Sequence, residues 1–256
     1  MRTRLLLQSP LLLLALLAGC THAPLAVEPS PGRSPLAQWL PSPNFDARRP
    51  VLVVLHATEQ DSVERSLRTL RTRNRGGRVS AHYLVARDGR IFQLVDDLDR
   101  AWHAGAGRWG AIGNLNAASI GIELDNDGRS AFPDAQVEAL LRLLADVTAR
   151  HRIDPRALIA HGDMAPSRKR DPNHLFPWKR LAEAGFGIWP QPPLAEPPPG
   201  FDPVLALRLL GYPVDDLPAA VRAFHRRFRG IDEGDDPAAA LDAEDARILY
   251  ALTTKP

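Results

Sequence analysis

Residues 51–58 read Val-Leu-Val-Val-Leu-His-Ala-Thr, and residues 157–163 read Ala-Leu-Ile-Ala-His-Gly-Asp. Each is a short apolar run that ends in a histidine, a pattern that is typical of a buried strand with a polar side chain at its end. A third apolar run, from Ser119 to Leu124, also reads as a strand and contains Glu123. These three runs predict the central part of a β-sheet.

Helical and hairpin patterns lie between these strands. Asp61 and Glu64 resemble a capping pair that opens a helix, and Pro133 leads a segment whose apolar residues recur at helical spacing. Residues 80–87 alternate as a strand, and the Asp88-Gly89 turn predicts a hairpin with residues 90–95. We therefore predict an α/β fold, a mixed sheet flanked by helices.

Proline-rich stretches divide the chain. Prolines recur among small and polar residues up to residue 50, which favours an extended tether over residues 20–50. A second proline-rich stretch predicts a linker at residues 190–203. The main domain is then residues 51–189, and residues 204–256 hold three helical patches that predict a small three-helix domain. The alternative is a helical appendage that completes the main domain.

The N-terminus has the pattern of a secretory signal. Arg2 and Arg4 precede a leucine-rich stretch and then small residues. The run Leu17-Ala18-Gly19-Cys20 resembles a bacterial lipobox, which implies that residues 1–19 are a signal peptide and that Cys20 is acylated. Cys20 is the single cysteine of the chain, so no internal disulfide is possible. Thr21 after it resembles outer-membrane rather than inner-membrane sorting, so we expect an outer-membrane lipoprotein that faces the periplasm.

The charge balance argues against a nucleic-acid partner. The formal net charge of +2 comes from Arg2 and Arg4, so the chain without residues 1–19 is close to neutral. A general nucleic-acid binder needs a strongly basic surface to displace counterions from phosphates. We therefore expect no nucleic-acid partner.

Three polar residues have the chemistry of a catalytic zinc site. Such a site has three protein ligands and an open position for water. His56 and His161 follow separate strands, and Asp171 comes ten residues after His161. Taken singly, each residue has an ordinary explanation, because histidines at strand ends are common and an aspartate before a proline usually forms a turn.

Five ordered runs resemble one family, the zinc-dependent N-acetylmuramoyl-L-alanine amidases of type 2. The resemblance covers residues 51–189 and is nearest to the outer-membrane lipoprotein branch. Its runs are Val54-Leu55-His56-Ala57-Thr58, Ser80-Ala81-His82-Tyr83-Leu84-Val85, Ala101-Trp102-His103-Ala104-Gly105, Ser119-Ile120-Gly121-Ile122-Glu123-Leu124 and the block from His161 to Asp171, which continues to Phe176-Pro177-Trp178.

The resemblance implies a role for each matching residue. His56, His161 and Asp171 fall on zinc ligands, Glu123 on a carboxylate that handles protons, and Lys169 on a lysine that faces the developing oxyanion. It also implies hydrolysis of the amide bond between N-acetylmuramic acid and L-alanine, in peptidoglycan or muropeptides, for cell-wall turnover or recycling. The C-terminal domain resembles peptidoglycan-binding domains only weakly.

Other residues within the resembling region, residues 51–189, are candidates for substrate contacts. His103, Asn116 and Arg168 are predicted to line the substrate groove or contact the stem peptide. His82 reads as a structural or a catalytic residue, and Asp163 either orients His161 or caps the turn after it.

Two other functions fit the same fold. Recognition members of the family bind peptidoglycan without cleaving it, because they lose a zinc ligand, whereas all three ligands are present in this chain. A zinc peptidase that cuts within the stem peptide is the other alternative. We expect a monomer whose partners are peptidoglycan fragments and, through the lipid anchor, the outer membrane.

Overall fold

The computed structural model describes residues 33–47, 50–74 and 77–254. The predicted signal peptide, residues 1–19, and the predicted lipidation site Cys20 lie outside the described residues. Among the helices that the structure describes, none combines the length and the apolar composition that a membrane crossing requires.

The core of the molecule is a six-stranded sheet with the order β1-β5-β4-β7-β3-β8, and a separate two-stranded ladder joins β2 to β6. The strands are β1 (Gln38–Trp39), β2 (Asp46–Ala47), β3 (Leu52–Ala57), β4 (Tyr83–Val85), β5 (Ile91–Gln93), β6 (Asp99–Arg100), β7 (Ser119–Leu124) and β8 (Leu158–Ala160).

Strand direction confirms the predicted mixed sheet. The neighbours of β7 and β3 run parallel to them, and so do β1 and β5. β4 and β5 are antiparallel because they form the predicted hairpin. Its turn contains Gly89 with a φ of +85°, a conformation that glycine adopts without steric cost.

Helices cover the sheet and form the C-terminal part of the chain. They are α1 (Val63–Arg71), α2 (Leu115–Ala118), α3 (Asp134–His151), α4 (His161–Met164), α5 (Trp178–Glu183), α6 (Pro203–Leu210), α7 (Leu217–Phe228) and α8 (Ala243–Thr254). The longest, α3, buries Val137, Leu140, Leu144 and Val147 in the cluster that contains the side chains of β3 and β7. This is the stripe that its helical spacing predicts.

The end of the predicted tether belongs to the folded domain. β1 pairs with β5 at the edge of the sheet, and β2 pairs with β6. The tether prediction for residues 20–50 is therefore wrong for residues 38–47. The physical reason is that strands of two residues are too short to show alternation, and their flanking prolines indicate extended chain in either case.

The C-terminal helices α6, α7 and α8 share one apolar cluster, as the three helical patches predict. Leu207, Phe224 and Leu249 are fully buried in it. Leu205 and Leu209, which the helical pattern also places in this core, are instead 50% and 71% exposed. The buried residues of α6 are Ala206 and Leu207, because this eight-residue helix packs against the cluster with only one narrow face.

Candidate metal centre

Three neighbouring strands place polar side chains at the same level of the sheet. His56 of β3 is directly opposite Glu123 of β7 in a parallel register. On the other side of β3, Leu55 is opposite Ala160, the last residue of β8, so His161 follows at the level of His56. The strand order β7-β3-β8 therefore forms a row of Glu123, His56 and His161 at the carboxyl ends of the strands.

Asp171 completes a cluster of three potential metal ligands. The Nδ1 atoms of His56 and His161 are 3.0 Å apart, and Asp171 Oδ2 lies 3.1 Å from His161 Nδ1 and 3.5 Å from His56 Nδ1. All three residues are buried, and their donor atoms lie within 4.8 Å of one another. Two nitrogens and one carboxylate oxygen form a donor set typical of catalytic zinc.

The Nε2 atoms of His161 and His56, which do not face the cluster, each contact another polar group. His161 Nε2 lies 3.0 Å from the carbonyl oxygen of Ala104. That oxygen only accepts hydrogen bonds, so Nε2 carries the proton and Nδ1 keeps its lone pair for a metal. His56 Nε2 lies 3.0 Å from His103 Nδ1. Such contacts fix the tautomer and orientation of a ligating imidazole.

The ionisation of the cluster favours a cation. Burial and the neighbouring His161 lower the pKa of His56 to about 4, so its imidazole is neutral at pH 7. Burial raises the pKa of Asp171, but electrostatic interactions and hydrogen bonds with His161 and His56 outweigh this effect and hold that pKa below its usual range. A neutral imidazole at His56 and an ionised carboxylate at Asp171 are the protonation states that metal binding requires of these two ligands.

Glu123 and Lys169 line the cleft beside this cluster. The cleft has a volume of about 170 Å³, and its walls also include His161 and Asp171. Burial and the charge of Asp171 raise the pKa of Glu123 to about 8, and the charge of Lys169 opposes this rise. Among the described residues, Glu123 Oε2 is buried without a hydrogen-bond partner. A carboxyl group in this state can hold or release a proton near pH 7.

A family model described as N-acetylmuramoyl-L-alanine amidase matches residues 46–174, which is half of the chain. This chain belongs to the N-acetylmuramoyl-L-alanine amidase family. The match covers β2 to β8, the strands that carry the cluster, and it ends three residues after Asp171.

Relatives and solved structures agree with this assignment. The sequence is 43% identical over 155 residues to the N-acetylmuramoyl-L-alanine amidase AmiD of Escherichia coli. The match covers 54% of this chain and 54% of AmiD, so this chain spans about half the length of that relative. A structure of AmiD with anhydro-N-acetylmuramic acid-L-Ala-D-gamma-Glu-L-Lys has a TM-score of 0.68 at 36% identity and covers 80% of this chain and 89% of that chain. AMPDH3 of Pseudomonas aeruginosa has a TM-score of 0.70 at 36% identity and covers 80% and 92%.

The three predicted substrate residues of this amidase fold lie around one loop, residues 103–106. Asn116 Oδ1 accepts hydrogen bonds from the backbone N–H groups of His103 and Ala104, at 2.9 and 2.8 Å. Arg168 Nη2 donates to the carbonyl oxygens of Ala104 and Ala106, at 2.8 and 2.6 Å. His103 is 8% exposed, and its side chain contacts His56. His103 therefore lines the cleft, Asn116 and Arg168 hold the loop that carries it, and contact of all three with substrate stays a prediction.

His82 and Gly121 explain why His103 fits in its place. His82 Nδ1 accepts a hydrogen bond from the N–H of Gly121 at 2.9 Å, which indicates a structural role in the sheet. A Cβ atom on Gly121 would lie 2.4 Å from the ring of His103, so only glycine leaves room for that ring. Sequence reasoning missed this pair, although the glycine inside an apolar strand was a signal of close approach.

Among the described residues, the hydrogen-bond partners of Asp163 do not include His161, which one sequence interpretation expected it to orient. Its carboxylate accepts hydrogen bonds from Tyr212 and Arg227, two residues of the C-terminal helical part, and from the N–H of Ala160. Sequence reasoning missed Tyr212 and Arg227, because an arginine at the end of an amphipathic helix usually indicates a solvated face.

Proposed function

We propose that this chain is a zinc-dependent amidase that hydrolyses the bond between N-acetylmuramic acid and L-alanine in peptidoglycan fragments. The observation that carries the proposal is the convergence of His56, His161 and Asp171 beside a cleft that contains Glu123. The solved complexes of AmiD and AMPDH3 with anhydromuramyl peptides support this substrate class.

The cluster fits zinc by donor chemistry and by spacing. Tetrahedral zinc with bonds of about 2.0–2.1 Å separates its ligand atoms by about 3.3 Å. The three distances here, from 3.0 to 3.5 Å, bracket that value. When bound, zinc would polarise the scissile carbonyl and lower the pKa of its bound water to about 7.

The residues of the chain supply the proton transfer and a second positive charge. Glu123 accepts a proton from the attacking water and delivers it to the nitrogen of the leaving L-alanine. Lys169, on the cleft wall, stabilises the negative charge that develops on the carbonyl oxygen. The charge of Lys169 already opposes the rise in the pKa of Glu123, which supports their proximity.

Location and oligomeric state are part of this proposal. Acylated Cys20 would anchor the enzyme to the outer membrane, and the chain would act in the periplasm as a monomer on muropeptides. The AmiD relative is named an N-acetylmuramoyl-L-alanine amidase and the AmpD relative a 1,6-anhydro-N-acetylmuramyl-L-alanine amidase, which supports muropeptides as the substrate class. A peptidoglycan-binding role for residues 204–256 remains an expectation of sequence resemblance.

Mass spectrometry of muropeptides digested by the zinc-loaded protein tests the activity. We expect two products: a glycan without a peptide, and a peptide whose N-terminal residue is L-alanine. Cuts inside the stem peptide would identify a peptidase, and intact muropeptides that still bind the protein would identify a recognition protein.

The variant Glu123→Gln tests the proton transfer with the fold and the zinc content measured in parallel. Glutamine has the shape of glutamate but cannot accept the proton. We expect kcat to fall by a factor of about 10² to 10⁴, the range for a general base. A variant with bound zinc and near-wild-type turnover would exclude this role for Glu123.

A further inference from the structure

The segment from His161 to Asp171 carries two of the three ligands and forms a closed loop. The backbone N–H of Gly162 donates to the carbonyl oxygen of Asp171 at 2.8 Å, so one hydrogen bond joins the two ends of the loop. The position of this loop determines where two donor atoms of the metal centre lie. We refer to residues 161–171 as the ligand loop.

The first turn of the ligand loop is fastened to the C-terminal helices by Asp163, which is 1% exposed. Tyr212 Oη donates to Asp163 Oδ1 at 2.9 Å, and Arg227 Nη1 donates to Oδ2 at 2.5 Å. Arg227 Nη2 also donates to the carbonyl oxygen of Leu158 at 3.0 Å. Leu158 lies in β8, the strand that leads into His161, so Arg227 holds the strand and the loop together.

The side chain of Arg227 is buried and hardly reaches solvent. Its side chain is 2% exposed, and its guanidinium lies 4.1 Å from the centre of the Trp178 ring. A buried carboxylate and a buried guanidinium each depend on the other for compensation. The hydroxyl of Tyr212 belongs to the same buried network, where burial and the charge of Asp163 raise its pKa well above the usual value.

Two further contacts of α7 fall on the ligand loop. A Cβ atom on Gly162 would lie 2.7 Å from Arg226 Nη1, so the guanidinium of Arg226 covers the residue next to His161. At the other end of α7, Ser167 Oγ donates to Asp216 Oδ2, its N-cap residue, at 2.8 Å. The ligand loop is therefore held at its start and in its middle by one helix.

We propose that the C-terminal helical unit positions the metal centre, with Arg227 and Tyr212 as positioning residues that act through Asp163. They touch neither the ligand atoms nor the cleft, and they fix the turn from which His161 projects. This inference rests on the proposed zinc site, and it assigns α7 a role in that site independent of any binding of the C-terminal helices to the cell wall.

The test measures zinc affinity of the full chain by competition with a chelator, and the visible absorption of the cobalt-loaded protein. Tyr212→Phe removes a single hydroxyl, and Arg227→Met removes the guanidinium and keeps an apolar stem. Tyr250→Phe and Arg229→Met are matched controls. Tyr250 packs on Phe201, and Arg229 binds acidic residues of the C-terminal unit.

We expect zinc affinity to fall about 10-fold in both test variants, the lower end of the range for groups that orient metal ligands. The cobalt spectrum should change in the test variants and remain that of the wild type in the controls. Thermal unfolding of the zinc-free proteins separates lost stability from lost positioning. If Arg227→Met does not fold, Tyr212→Phe decides the question alone.

Two outcomes would overturn the inference, and they are distinguishable. Wild-type zinc affinity and an unchanged cobalt spectrum in the test variants would show that α7 only packs on the catalytic part. Absence of zinc binding by the wild-type chain would instead remove the proposed metal centre itself.

Discussion

Replacement of His103 by leucine is expected to weaken zinc binding without removing a ligand. His103 Nδ1 lies 3.0 Å from Nε2 of His56, whose other nitrogen faces His161 and Asp171. In the tautomer that leaves Nδ1 of His56 free for zinc, leucine leaves the Nε2–H buried without an acceptor, which costs about 1–3 kcal/mol. Because about 1.4 kcal/mol corresponds to a factor of ten, the zinc dissociation constant should rise about 10- to 100-fold.

The variant His103→Asn is the matched control. Asparagine places an oxygen acceptor where Nδ1 of the imidazole stood, so it keeps the partner of His56 while it removes the rest of the ring. Chelator competition and the nitrogen chemical shifts of His56 would report affinity and tautomer separately. This role of His103 is contradicted if the leucine variant binds zinc as tightly as the wild type, or if the asparagine variant weakens binding as much as the leucine variant.

Three other predictions concern the parts of the molecule that support the site. Gly162→Ala should destabilise the zinc-free protein by about 1–3 kcal/mol in urea and weaken zinc binding, because its Cβ would meet Arg226; unchanged values would contradict the contact. Burial lowers the pKa of His225, but the interactions with Asp245 and Asp236 outweigh this effect and raise that pKa above 6.5. The stability that these two carboxylates contribute is therefore complete below pH 6.5, and it is lost as the pH rises through the pKa of His225 in the folded protein. Urea denaturation at pH 6 and pH 9 should show this loss, and His225→Gln should abolish it. Phe224→Ala, in the core of the C-terminal helices, should cost about 3–5 kcal/mol and produce an earlier unfolding transition; a cost under 1 kcal/mol would mean that these helices lack a tight core.

The sequence predicted the central strands of the sheet, and it predicted that His56, His161 and Asp171 form one group that could hold a metal ion. Apolar runs that end in His56 and His161 indicate strand ends, and the matching runs assign the ligands. The position of Glu123 opposite His56 depends on the register between β3 and β7, which no local pattern encodes. The short strand β1 escaped prediction for the same reason, because pairing with β5 alone defines it.

The roles of charged residues were harder to predict than the positions of apolar ones. Arg168 and Arg227 both occur in polar stretches, yet one spans a backbone loop and the other is buried against Asp163. Burial of an arginine depends on a carboxylate distant in sequence, so composition and periodicity cannot reveal it. The same argument applies to Asn116, whose side chain binds backbone N–H groups.

The first strand of the described chain, β1, lies at one edge of the six-stranded sheet. β1 and β3 are separated in the sheet by β5, β4 and β7. At about 4.8 Å per strand, this separation is about 19 Å. The described chain therefore enters the sheet at an edge that three strands separate from His56.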